Sequence, residues 1–212
     1  MEKPILFNTE MVQAILQGRK TSTRRIIKEY IPEDAECGYT FFTPKRNVSF
    51  RGTFEGQYGE KFYKPPYWIG DILYVRETWR KQPVGEDGHI EIQYKADFSK
   101  EELACYGRRG GYAPCKWHPS IHMSKSIARL YLKVTDIKAQ RLQDITERET
   151  LREGIRRYHF NMNMPDAYGD NLYTKPELAF KALWDSCGYK ECNSWDANPW
   201  VWVIEFQKFN KE

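Results

Sequence analysis

Residues 200–206 read WVWVIEF and set one charge, Glu205, among six apolar side chains. A strand with one wet face alternates apolar and polar positions, so a run that is apolar on both faces has to pass through the interior with cover on each side. The chain therefore has to build layers around its own C-terminal strand. Residues 126–136 read differently: Ala128, Leu130, Leu132 and Val134 point one way while Arg129, Tyr131, Lys133 and Thr135 point the other, the signature of a half-exposed strand. Gly70-Asp71 opens a further strand over 72–79, and 90–96 is expected to pair with it. With 41% hydrophobic and 15% aromatic residues in 212, there is enough apolar material for a folded chain. The expectation is one domain spanning 1–212, of α+β class and rich in β structure.

Helices punctuate these strands. Residues 3–7 read as extended, followed by a helix capped by Asn8 or Thr9, with Met11, Ala14 and Ile15 on one side and Gly18 as its stop. A strand resumes over 21–27, which is rich in β-branched residues. Thr146 and Glu149 form a capping-box pair for a short helix ending at Gly154, and Thr174 with Glu177 forms another. The second of these helices carries Phe180, Leu183, Trp184 and Cys187 on one stripe and stops at Gly188. Between the regular elements, 28–67 and 97–124 read as insertions, the first holding one short hairpin near 48–54. No internal repeat or low-complexity segment is present.

Several classes are excluded. The longest apolar run near the start is Pro4-Ile5-Leu6-Phe7, far short of a signal-peptide core or the roughly 18 residues of a membrane span, so a soluble, cytoplasmic protein is expected. Five cysteines, odd in number and without a repeated CxxC spacing, fit a reducing compartment better than a disulfide framework. Cys115, His118 and His122 have a C-x2-H-x3-H spacing, but no fourth ligand follows at a matching interval, so neither a metal nor another cofactor is expected. The net charge of +4 is mild and names no partner by itself. Its distribution is more telling. Gly18 to Arg25 hold Arg19, Lys20, Arg24 and Arg25 with no acid, where either a solvated charged face or an anion-binding junction is open.

This octet, Gly18-Arg19-Lys20-Thr21-Ser22-Thr23-Arg24-Arg25, resembles the GxKxxxxR signature of ASCH domains, relatives of the PUA fold. The order of its surroundings is similar too: a helix before it, the Gly70-Asp71-Ile72-Leu73 turn and strand after it, a strand at 142–146, a helix ending Glu153-Gly154, and the closing 202–206 strand. The resemblance implies a PUA-like pseudo-barrel with peripheral helices. It also implies a third insertion near 156–173, as in the longer version met in phages and prophages. It further implies binding of RNA or a modified nucleoside in a basic pocket. One bacterial branch of the family removes the acetyl group from acetylcytidine through a lysine, a threonine and a glutamate, which fall here on Lys20, Thr23 and Glu153. Other members are RNA binders, and a ribonuclease is a third class.

The chemistry of those residues is consistent with acyl transfer. A threonine hydroxyl needs a base to take its proton, and a lysine crowded by Arg24 or Arg25 and partly desolvated is pushed toward the neutral amine. In a regular strand Thr23 and Arg25 share one face, while Lys20 beside the Gly18 turn is free to join either. Glu153 would serve as proton donor, and Arg19, Arg24, Arg25 and His122 would hold the substrate, with Arg25 also placed to grip Glu153 as a fork. The plain alternatives stand beside these: a salt bridge at Glu153, an ordinary β-branched residue at Thr23, a structural histidine at His122. Tyr63, Tyr67, Trp68, Trp79, Tyr112 and Trp117 lie among lysines and arginines, as an unpaired base would want, although Trp68 and Trp79 also suit plain packing. The oligomeric state is left open.

Overall fold

The computed structural model describes residues 1–42, 45–84, 89–105, 116–155, 176–188 and 190–211. Two compact units divide the chain, the first made of Met1–Gly18, Ile72–Leu132 and Lys208–Glu212, the second of Arg19–Asp71 and Lys133–Gln207. Both are strand-rich with a few short helices, as the α+β reading expects.

The first unit begins with β1 (Glu2–Leu6) and α1 (Thr9–Leu16). Asn8 caps α1 by accepting the Met11 N–H at 2.8 Å, and Gly18 leaves the helix with φ +74, a conformation that costs a residue without Cβ little. Val12, Ala14 and Ile15 form the buried face of α1; Val12 stands where Met11 was expected, and Met11 is half-buried. β1 runs parallel to β6 (Ile72–Arg76) with Ile5 opposite Val75, and Leu130 accepts the Val75 N–H at the entry to β9 (Tyr131–Arg141).

The strand expected over 72–79 breaks at Glu77. Its N–H turns to the Met123 sulfur at 3.1 Å, and its buried carboxylate is held by the Arg129 guanidinium at 2.9 and 3.1 Å. The chain restarts as β7 (Trp79–Val84), β8 (His89–Tyr94) pairs with β7 rather than with β6, and a short helix, α2 (Lys100–Cys105), follows. The alternating strand also starts later and runs further than read, because 125–127 forms a 3-10 turn and β9 continues to Arg141.

In the second unit, β2 (Ser22–Ile26) lies antiparallel to β10 (Trp200–Phe209), with Arg25 opposite Trp202 and Arg24 opposite Val203. β10 is buried at Val201, Trp202, Val203, Ile204 and Phe206, and half-buried at Glu205, as its double-faced apolar pattern requires. One of its faces closes a core of Leu142, Ile145, Phe180, Trp184, Val201 and Val203. Residues 142–144 are a 3-10 turn, not the strand expected at 142–146: the Leu142 N–H goes to Pro199.

The short hairpin expected within 28–67 is a three-stranded meander of β3 (Glu36–Phe42), β4 (Lys45–Phe54) and β5 (Gln57–Tyr63). Glu55 and Gly56 both adopt positive φ, 52 and 83, in a two-residue turn whose twist suits the strands it joins. β5 buries only Tyr63, so its sequence carries no alternating apolar signal.

Two helices complete this unit. α3 (Glu147–Arg152) has the expected capping box: Thr146 accepts the Glu149 N–H at 3.3 Å and Glu149 accepts the Thr146 N–H at 3.0 Å. α4 (Pro176–Ser186) buries Phe180 and Trp184 and ends before Gly188 at φ +70, while Cys187 is exposed. The second capping box, at Thr174, lies outside the described residues. Among those residues no helix is long and apolar enough to cross a membrane. Replacing the α3 cap, Thr146→Ala, is expected to cost about 1 kcal/mol and lower the thermal midpoint by a few degrees in calorimetry, with Thr146→Ser retaining most of it.

Candidate functional site

At the fourth residue after α1, Lys20 meets the far end of α3. The two segments form an isolated antiparallel bridge, Lys20 to Glu153, and the next N–H, Thr21, goes to Arg152 at 2.8 Å. The geometry holds a helix C-terminus against the start of β2. Lys20 Nζ donates to the Glu153 carbonyl at 3.0 Å and to its Oε2 at 2.6 Å. Arg24 bridges two acids, donating from Nη1 to Glu153 Oε1 at 2.9 Å and from Nη2 to Glu149 Oε2 at 3.1 Å. Glu149 also accepts from Lys138 on β9. Arg19 reaches the Gly154 carbonyl, and Arg152 donates to Glu205 at 2.7 Å.

Lys20, Arg24 and Glu153 are all nearly closed to solvent, at 2%, 3% and 4% exposure. Burying charges is tolerable only because each has opposite partners in close geometry. Burial pulls the Lys20 ammonium below its ordinary range; Glu153 opposes this, and the Arg25 and Arg24 charges reinforce it. At Glu149 it is the charged form that is favoured. Burial works against its charged form, but the Lys138 hydrogen bond, the Thr146 N–H and the Arg24 charge hold its carboxyl down at about 2.

The parity of β2 then splits the predicted site. Ser22, Arg24 and Ile26 face one way, toward Val203 and Val201 across the ladder, and the Arg24 guanidinium sits 5.6 Å from the Phe180 ring centre. Thr23 and Arg25 face the other way, opposite Ile204 and Trp202. Lys20 joins the Arg24 side through Glu153. Among the described residues no hydrogen bond links the Thr23 hydroxyl to Lys20 or Glu153, so the nucleophile–base contact that the trio requires is not made here. The grip on Glu153 expected of Arg25 is made by Arg24, which is a buried strut and not an open substrate contact. His122 belongs to the first unit, exposed in a 3-10 turn over 120–122 with its N–H on Pro119.

Arg25 instead lines a cleft of about 360 Å³ in the second unit, together with Lys28, Glu29, Lys64, Tyr67 and Trp202. That volume lies at the small end of ligand pockets. Burial raises the Tyr67 hydroxyl pKa, with the Arg25 charge working against it. Lys28 and Glu29 extend the basic octet by a few residues and were within reach of a longer reading window. Lys64 was not, because it lies beyond the whole meander and only the fold returns it to β2.

Cys115 of the histidine-rich spacing lies outside the described residues, while His118 stacks on Trp79 with ring centres 4.8 Å apart. Among the described residues no group of three or more potential ligands gathers for a metal. No family model and no curated protein matches the chain. Among solved structures it is similar to the high-resolution crystal structure of an ASCH domain from Lactobacillus crispatus JV V101, at 10% identity, over 98% of this chain and 79% of that one, with a TM-score of 0.33. At that TM-score the likeness bears no weight for fold or site.

Two outcomes test the network. Glu153→Gln leaves Lys20 and Arg24 buried with one carboxylate fewer and is expected to cost about 3–5 kcal/mol in urea unfolding, whereas Lys20→Met with Glu153→Leu costs clearly less. Because the Glu149 carboxyl is held below its unfolded value of 4.5, its contribution is present above pH 4.5 and is lost as pH falls toward 2. Glu149→Gln, which can still close the capping box, is expected to flatten stability over that window by about one proton per molecule unfolded, measured by denaturant titration at stepped pH.

Proposed function

We propose that the chain is an ASCH-type protein that takes an unpaired base of RNA, or a modified nucleoside, in the cleft beside β2, as a non-catalytic binding module. The observation that carries this reading is the lining: Arg25, Lys28 and Lys64 bring positive charge to a cleft of about 360 Å³ that also presents the half-buried Tyr67 ring and an edge of the nearly closed Trp202. Bases of every kind have a π face, so aromatic rings hold them with little regard to sequence, and cations beside the rings attract the phosphates that come with them. The octet at 18–25 supports the family side of the reading, since its lysine and last arginine stand at the two ends of the arrangement: Lys20 locks β2 to α3, and Arg25 faces the cleft.

Hydrolysis of an acylated cytidine-like base, which the family resemblance also implies, asks for a different arrangement. Lys20 would have to leave Glu153 and reach a hydroxyl on the opposite face of β2. The binding module needs no such movement.

Fluorescence anisotropy with a labelled single-stranded RNA is the test. Native protein is expected to bind, with affinity falling as salt rises by about 0.7 log unit per log unit of salt for each phosphate neutralised. Tyr67→Ala is expected to weaken binding by about 1–3 kcal/mol at every salt concentration, and Lys28→Ala with Lys64→Ala to flatten the salt slope. Absence of binding at low salt would sink the proposal. Turnover of acetylcytidine by the native protein, lost in Lys20→Ala, would replace the non-catalytic form with the hydrolytic one.

A further inference from the structure

Glu29 is the single acid among the described residues lining the cleft, where it faces the same space as Arg25, Lys28 and Lys64. Among the described residues, no ion pair or hydrogen bond engages the Lys28, Glu29 or Lys64 side chain, although cations and carboxylate share one small concavity. Its charge does reach its surroundings, adding to the rise that burial imposes on the Tyr63 hydroxyl. A pocket built only to hold phosphate would gain nothing from this carboxylate and would lose affinity by repulsion. A ligand that presents hydrogen-bond donors as well as acceptors would use both signs of charge.

The two pyrimidine bases of RNA differ in that respect. An ionised carboxylate only accepts hydrogen bonds, and an ammonium only donates them. Cytosine offers an amino group next to a ring-nitrogen acceptor, the complement of a carboxylate next to a lysine. Uracil reverses the pair, with a carbonyl oxygen at the 4-position and an N–H at ring position 3, so a carboxylate set opposite the 4-substituent meets an acceptor and is repelled, and a lysine opposite position 3 meets a donor. We propose, resting on the nucleobase reading of the cleft, that Glu29 selects bases carrying an exocyclic amino group and disfavours uracil, with Lys28 or Lys64 donating to the adjoining ring acceptor.

Cytidine 5′-monophosphate and uridine 5′-monophosphate test this cleanly, since they share phosphate, sugar and charge and differ only at the 4-substituent and in whether the adjoining ring nitrogen accepts or donates. With the full chain in isothermal titration, native protein is expected to prefer the cytidine nucleotide by about tenfold. Glu29→Gln, whose amide both donates and accepts, is expected to bring the ratio close to one while binding persists. Tyr67→Ala should weaken both nucleotides by the same factor and leave the ratio intact. Equal affinities for the native protein, or an unchanged preference in Glu29→Gln, would overturn the role of Glu29 and leave base binding standing. If the native protein binds neither nucleotide, the base-binding cleft and the role of Glu29 fall together.

Discussion

The contact between Lys20 and Glu153 ties a helix end to β2, the strand that carries the second half of the basic octet, and the layout of the second unit follows from it. Because Lys20 Nζ spends one bond on the Glu153 carbonyl and another on its carboxylate, α3 cannot slide along β2 without leaving a charge buried and alone. Arg24 completes the lock by bridging both acids of α3. With that face of β2 committed to holding the fold, the opposite face is released for the cleft.

This division changes what a run of cations means. Arg24 and Arg25 are adjacent and chemically identical, yet one is 3% exposed between two carboxylates and a phenyl ring while the other lines an open space. Charge density along a sequence treats them alike. Strand parity separates them, and parity is fixed by which residue of β10 each one opposes.

What could be read in advance was local. Asn8 and Thr146 announce helix starts because a side-chain oxygen one turn away satisfies a backbone N–H, and Gly18, Gly154 and Gly188 announce ends because each takes a positive φ. The break at Glu77 was hidden because the groups that take its N–H and its carboxylate, Met123 and Arg129, lie 46 and 52 residues away. β5 was hidden for the opposite reason: six of its seven residues keep some exposure, so no apolar alternation marks it. Lys20 and Glu153 were nameable through the family likeness of their surroundings. Lys64 and Tyr67 could not be assigned to the cleft, because their relation to Arg25 exists only after the meander closes.

The amino-acid sequence by itself determined that 200–206 runs through the interior, where helices begin and end, and which octet concentrates positive charge, because each depends on neighbours within about a turn or on alternation along one strand. The tertiary structure alone decided that Lys20 and Arg24 are struts, that Thr23 stands apart from them, and that Arg25, Glu29 and Lys64 share a cleft. Those outcomes depend on register between strands and on charges brought together across more than a hundred residues, where the energy of pairing exists only once water has been excluded.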